Sequence, residues 1–174
     1  MQTPYPTAEL YQNRGYDPAS IPAWSHKVSD LVSRIKKEFE NPQRPLVTFH
    51  VARAYDDEWV VSNDRGYELR ALDTELHWQD ISDSSIETFS EYFTFSDSDG
   101  WKFYIPAFML HSIRCFPSTS YDVAYVACHS LRSVETFTED QITVLKDFAA
   151  LWKQVEQEEE GRSWKEFADN QSTL

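Results

Sequence analysis

The residues best suited to chemistry in this chain are carboxylates set among indoles. Asp56-Asp57-Glu58 runs directly into Trp59, and Asp73, Trp78 and Asp80 follow downstream. Such a set can do two kinds of work. The acids can steer and pair with Lys and Arg of a partner while the indoles supply apolar anchors. Alternatively, Asp and His together can ligate a divalent cation that activates water. Asp56, Asp57, Asp73 and His77 are the candidates for that second role, with His50 a further nitrogen nearby. Spacing does not support a metal. The five histidines, His26, His50, His77, His111 and His129, form neither a His-x-x-x-His nor a His-Glu-x-x-His pattern. Asp97-Ser98-Asp99-Gly100 resembles a calcium loop and fails as one. With Gly100 at the sixth position the first is Phe95 and the twelfth Pro106, and neither can ligate. That run reads as a helix cap and tight turn.

Nucleophile and phosphate-binding signatures are missing. There is no Gly-x-Ser-x-Gly elbow, no Walker or dinucleotide glycine pattern, and only four glycines in all. Cys115 and Cys128 lie thirteen apart, in no zinc or redox spacing, and read as two buried thiols. No catalytic residue, metal or cofactor is therefore expected. Asp56, Asp57, Glu58, Trp59, Asp73, Trp78 and Asp80 are assigned to binding a partner.

Charge points the same way. The net charge is −13 and it is uneven. Residues 51–100 carry three Lys/Arg against thirteen Asp/Glu, whereas residues 1–50 carry six against five. A field of this sign repels nucleic acid and anionic membranes and attracts a basic protein. The chain opens without a basic patch followed by an apolar stretch. No apolar run reaches the roughly 18–20 residues a bilayer demands. The expectation is a soluble cytoplasmic protein.

These residues need helices to hold them, and the periodicity supplies them. The chain reads as one compact, mainly α domain over 24–160, with an extended arm over 1–23 and a tail over 161–174. Pro4, Pro6, Pro18 and Pro22 argue for the arm. Val28, Leu31, Val32, Ile35 and Phe39 mark one face of a helix from about Trp24 to Glu40, with Ser25 as N-cap and Asn41-Pro42 as the stop. Residues 46–54 fit either a short strand or a helix capped by Thr48. Further helices are expected around Tyr67–Leu72, after Ser82 or Asp83, after Ser96 or Asp97 and from Pro106 to about Phe116, while Tyr121–Leu131 fits a buried helix or a strand, with helix favoured. Thr138-Glu139-Asp140-Gln141 is a capping box that opens a long closing helix through Trp152.

From Val47 to about Trp152 the chain resembles a family of small uncharacterised bacterial proteins classed as a domain of unknown function. Four segments carry the resemblance. They are Thr48 to Ala52 before Asp56-Asp57, Arg70-Ala71-Leu72-Asp73 leading to Trp78-Gln79-Asp80-Ile81, the run from Asp99 through Phe103-Tyr104-Ile105-Pro106 to Met109, and Phe137 to Gln141. Lys102 stands where relatives often carry Arg. The resemblance implies a helical domain, which favours helix over strand from Thr48, and no activity. A non-catalytic acidic protein that engages a basic partner is then the leading expectation, and immunity proteins against toxins are of this type. A metal-assisted hydrolase and an acidic DNA mimic are the alternatives. The mimic would require carboxylates spaced like phosphates along a long face.

Overall fold

The computed structural model describes residues 5, 8–13, 19, 21–115, 123–129 and 136–171. Helices are α1 (Ala8–Asn13), α2 (Ile21–Glu38), α3 (Phe49–Glu58), α4 (Asn63–Arg70), α5 (Asp83–Thr88), α6 (Tyr92–Phe95), α7 (Ser98–Cys115), α8 (Val123–His129) and α9 (Glu139–Gln171), with a 3-10 turn at Trp78–Asp80. No strand occurs among the described residues, so the fold is all α and residues 49–58 are helix. The N-terminal region differs from expectation. The segment read as an extended arm contains α1, and α2 begins at Ile21 rather than at Trp24. Pro22 falls in the first turn of α2, where a missing amide hydrogen costs nothing.

α7 is the axis of the molecule. Between Gly100 and Arg114 every residue except Lys102 is buried, so this helix has no solvent face. A new helix was expected to start at Pro106, but α7 runs through it. Pro106 donates no hydrogen bond, so the Lys102 carbonyl four residues earlier loses its helical partner. Lys102 is also the one position in the stretch that solvent reaches. Burial on all sides offsets an interior proline cost of about 3 kcal/mol. The helix start is fixed by Asp97, whose Oδ1 accepts from the Gly100 amide at 2.7 Å. Gly100 has no alternative, because a Cβ there would collide with the Tyr92 hydroxyl and Ser96 Oγ.

α2 and α9 pack antiparallel. Lys27 reaches Gln154, Arg34 reaches Asp147 at 2.6 Å, and Gln141 Nε2 donates to the Glu38 carbonyl at the far end. The capping box forms as read: Thr138 N donates to Gln141 Oε1 at 3.1 Å, and Gln141 N to Thr138 Oγ1 at 3.2 Å. α9 continues past Gly161 to Gln171, beyond the expected start of a tail.

An aromatic cluster joins α3, α5, α6 and α7. Phe49 stacks on Phe89 at 4.9 Å and meets Tyr92 at 5.2 Å, Tyr104 at 4.2 Å and Phe108 at 6.1 Å. Tyr92 donates its hydroxyl to the Val47 carbonyl at 2.7 Å. Burial pushes the Tyr92 phenol well above its ordinary value of 10.0, and it raises Tyr104 as well. A folded state whose phenols hold protons more tightly than the unfolded chain is fully stable below pH 10 and loses stability as pH climbs through the folded values. Unfolding free energy measured by urea titration should therefore stay level with respect to these two groups up to about pH 10 and fall steeply above it. A flat profile to pH 12 in wild type, matched by a Tyr92→Phe/Tyr104→Phe variant, would contradict this.

Candidate functional site

The sequence between α3 and α4 is built against local preference. Asp56, Asp57 and Glu58 occupy the last turn of α3, at the negative end of the helix dipole, and no basic residue sits in that turn. Trp59 follows as the C-cap with φ 59° and ψ −31°, a positive φ that side-chain-bearing residues rarely adopt. It is the one such non-glycine among the described residues. Val60 N closes the turn by donating to the Glu58 carbonyl at 2.6 Å. Backbone held in this region costs on the order of 1–3 kcal/mol. Burial of the indole does not compensate, because Trp59 is 87% exposed and Val60 80%. The six residues from Tyr55 to Val60 are all exposed.

Of the residues assigned to partner binding, the structure brings Asp56, Asp57, Glu58 and Trp59 together and separates the rest. Asp56 and Asp57 make no ion pair among the described residues. Glu58 is exposed but partly engaged, with Arg65 Nη2 at 3.2 Å. Asp73 is buried and faces inward. Its Oδ2 accepts from the His50 amide at 3.0 Å and its Oδ1 lies 2.8 Å from His50 Nδ1. The carboxylate thus caps α3 from a distance. Thr48 takes the N-cap position, but its hydroxyl makes no capping bond. Trp78 is also no surface anchor: it is buried, and Nε1 donates to the Phe39 carbonyl at 2.5 Å. Asp80 is exposed but belongs to the 3-10 turn that packs on α7 and the end of α2.

The alternative metal set does not assemble. Asp73 is committed to His50, His77 is exposed, and among the described residues no three His, Cys, Asp or Glu side chains come together as a cation site. The central carboxylates also form no uniform outward row, since Asp73 and Asp83 are buried and Glu91 is paired with Arg53 at 2.6 Å.

Sequence reasoning missed what lies beside Trp59. α3 and α4 enclose a groove of about 220 Å³ whose walls include Leu46, Val51, Tyr55, Val61, Gly66 and Tyr67. Leu46 is 71% exposed and Tyr67 77%. A readable signal was present: Leu46, Tyr55, Trp59, Val60 and Tyr67 are apolar or aromatic residues scattered through a polar segment without helical period. Arg44 braces the end of α4 by donating to the carbonyls of Arg70, its last residue, and of Asp73 and Glu75 beyond it.

A second polar cluster escaped notice, and it is internal. Asp83 Oδ1 accepts from His111 Nδ1 at 3.0 Å and from Arg114 Nη2 at 2.5 Å. Cys115 Sγ lies 3.5 Å from His111 Nε2. His111 and Arg114 are buried, so this group fastens α5 to α7.

The profile of a family described as "Family of unknown function (DUF6714)" matches residues 27–168. The chain belongs to the DUF6714 family. The match takes in most of α2, which the sequence resemblance from Val47 to Trp152 left out, and nearly all of α9. Both the candidate face and the buried Asp83 cluster therefore lie within the DUF6714 region. No curated protein and no solved structure matches the chain. Among the described residues of this DUF6714 protein, no helix is long and apolar enough to cross a membrane.

Proposed function

We propose that this DUF6714 protein is a non-catalytic binding protein whose α3–α4 face engages a basic segment of a partner protein. The observation that carries the reading is the strained, 87% exposed Trp59 directly following the Asp56-Asp57-Glu58 turn. Each element of that arrangement costs stability, and such local costs concentrate where a surface serves binding. An indole offers roughly 150–250 Å² of mostly apolar surface. Left in water, that surface supplies a partner with a few kcal/mol of transfer free energy, at about 25 cal/mol per Å². The two aspartates beside it, without an ion pair among the described residues, select for Lys and Arg and speed encounter. A toxin neutralised by such a face is a partner of this chemistry.

Selection of peptides from a displayed random library on the full chain tests the reading. Recovered sequences should be rich in Lys and Arg and should bind more weakly as salt rises. Asp56→Lys/Asp57→Lys should lower their affinity at least tenfold. Trp59→Gly should do the same while raising fold stability by about 1 kcal/mol, because glycine adopts positive φ freely. Recovered peptides that bind wild type and both variants equally would rule the face out.

A further inference from the structure

Cys115, His111 and Asp83 stand in the order that activates a nucleophilic thiol. His111 and Cys115 are four residues apart in α7, so they share one face of the helix. Asp83 comes from α5 and accepts from His111 Nδ1 at 3.0 Å. With that proton on Nδ1 the ring is oriented and Nε2 is the basic nitrogen, 3.5 Å from Cys115 Sγ. A base within reach of a thiol, itself held by a carboxylate, is the arrangement that nucleophilic side chains need.

The surroundings favour the imidazolium that forms when Nε2 takes the thiol proton. Asp83 lies against one ring nitrogen, and the Glu87 carboxylate stands 3.8 Å from the other. Arg114 works against it, because its guanidinium shares the same Asp83 oxygen at 2.5 Å. Tyr5, whose ring lies 5.9 Å from the Arg114 guanidinium, stays uncharged, since burial pushes its phenol up.

The end of the helix selects the electrophile. Cys115 is the last residue of α7, where carbonyls without helical partners and the negative end of the dipole gather. Attack on an acyl carbon builds charge on one oxygen, which calls for N–H donors. Attack on a disulfide builds no oxyanion, because the charge passes through sulfur to a leaving thiolate. The same helix end disfavours a standing thiolate, so proton removal during attack is what His111 adds. Cys115 is partly exposed and His111 is buried, so a reagent meets the sulfur and not the base.

We propose that Cys115 is a modification site that captures a small disulfide, with His111 as the base and Asp83 as the residue that positions it. Nε2 removes the S–H proton as Cys115 attacks one sulfur of the disulfide. A mixed disulfide forms on Cys115, the S–S bond of the reagent breaks, and the departing thiolate receives the proton from Nε2. Cys115 is oxidised, half of the reagent is reduced, and no other reactant is consumed. Cys128 is the internal comparison. It packs against the main core, and burial pushes its thiol up to about 12.

The probe is dithiodipyridine, an uncharged aromatic disulfide whose released half is read by absorbance, added to the full chain. Mass spectrometry should find the tag on Cys115 at least tenfold sooner than on Cys128. An unassisted thiol of ordinary acidity reacts about fiftyfold faster at about pH 8.5 than at about pH 6.5, because only its thiolate attacks. Wild type should rise less than about tenfold over that interval, since the base supplies what the solvent lacks. His111→Gln should slow labelling of Cys115 at the lower pH at least tenfold and restore the fiftyfold rise. Asp83→Asn should move both readouts the same way by a smaller factor, and Cys128→Ala should match wild type. A ring that merely filled space would give the opposite result, because its loss would loosen the end of α7 and speed labelling at every pH. Faster labelling of His111→Gln, a fiftyfold rise in wild type, or a tag that reaches Cys128 first would each overturn the proposal. If the histidine variant does not fold, the wild-type profile and the site of the tag decide by themselves.

Discussion

Replacing Asp83 by alanine is expected to lower the unfolding free energy by about 3–5 kcal/mol, the range for removing one partner of a buried ion pair. The carboxylate takes two hydrogen bonds on a single oxygen, from His111 and Arg114. Arg114 is 5% exposed and His111 1%, so water does not replace what is lost. Asp83 also lies in the first turn of α5, behind the Ser82 cap, where a negative charge suits the helix dipole. Asp83→Asn keeps the size and an acceptor but not the charge, and a loss of about 1–3 kcal/mol is expected. Guanidinium unfolding with an unchanged m-value measures both. A loss below about 1 kcal/mol for the alanine variant would mean the cluster is not a fastening point.

Phe49→Ala is expected to cost a similar amount, about 3–5 kcal/mol, for a different reason. Phe49 is the first residue of α3 and is 1% exposed. Its ring contacts four others, contributed by Phe89, Tyr92, Tyr104 and Phe108. Those rings are held by three further helices or turns, so they do not collapse easily into the space vacated. Phe49→Leu should recover most of the loss, since it keeps the site filled. Comparison of the two variants separates cavity formation from any effect on the α3 N-terminus. Equal destabilisation by both would place the cost in helix capping rather than in packing.

The helices were legible where local chemistry decides. Thr138 and Gln141 announce α9 because the two capping partners lie three residues apart in sequence. Ser82 similarly announces α5, with its hydroxyl accepting from the Ser85 amide. Legibility failed where distant residues decide. Pro106 looks like a helix start, but the surroundings of α7 outweigh its local cost. Trp59 and Trp78 are both indoles amid acids, and only the chain path puts one in water and the other under the end of α2. Asp73 belongs to the same acidic stretch as Asp56. It turns inward because the α3 N-terminus, twenty-three residues away, needs an acceptor. Half of the candidate site was thus readable as composition. The groove was not, because its two walls meet only after α3 and α4 fold back on each other.

The molecule has a large apolar core around α7 and a separate, minor one made of Val51, Ala54 and Leu69, with Val47 and Val61 beside it. Leu69 is the sole buried residue of α4. That helix is therefore moored by one buried apolar side chain to a satellite, with Arg65–Glu58 and Arg44 to the Arg70 carbonyl as polar ties, while the remainder of the fold is secured elsewhere. Amide hydrogen exchange should therefore open α4 well before the helices packed around α7.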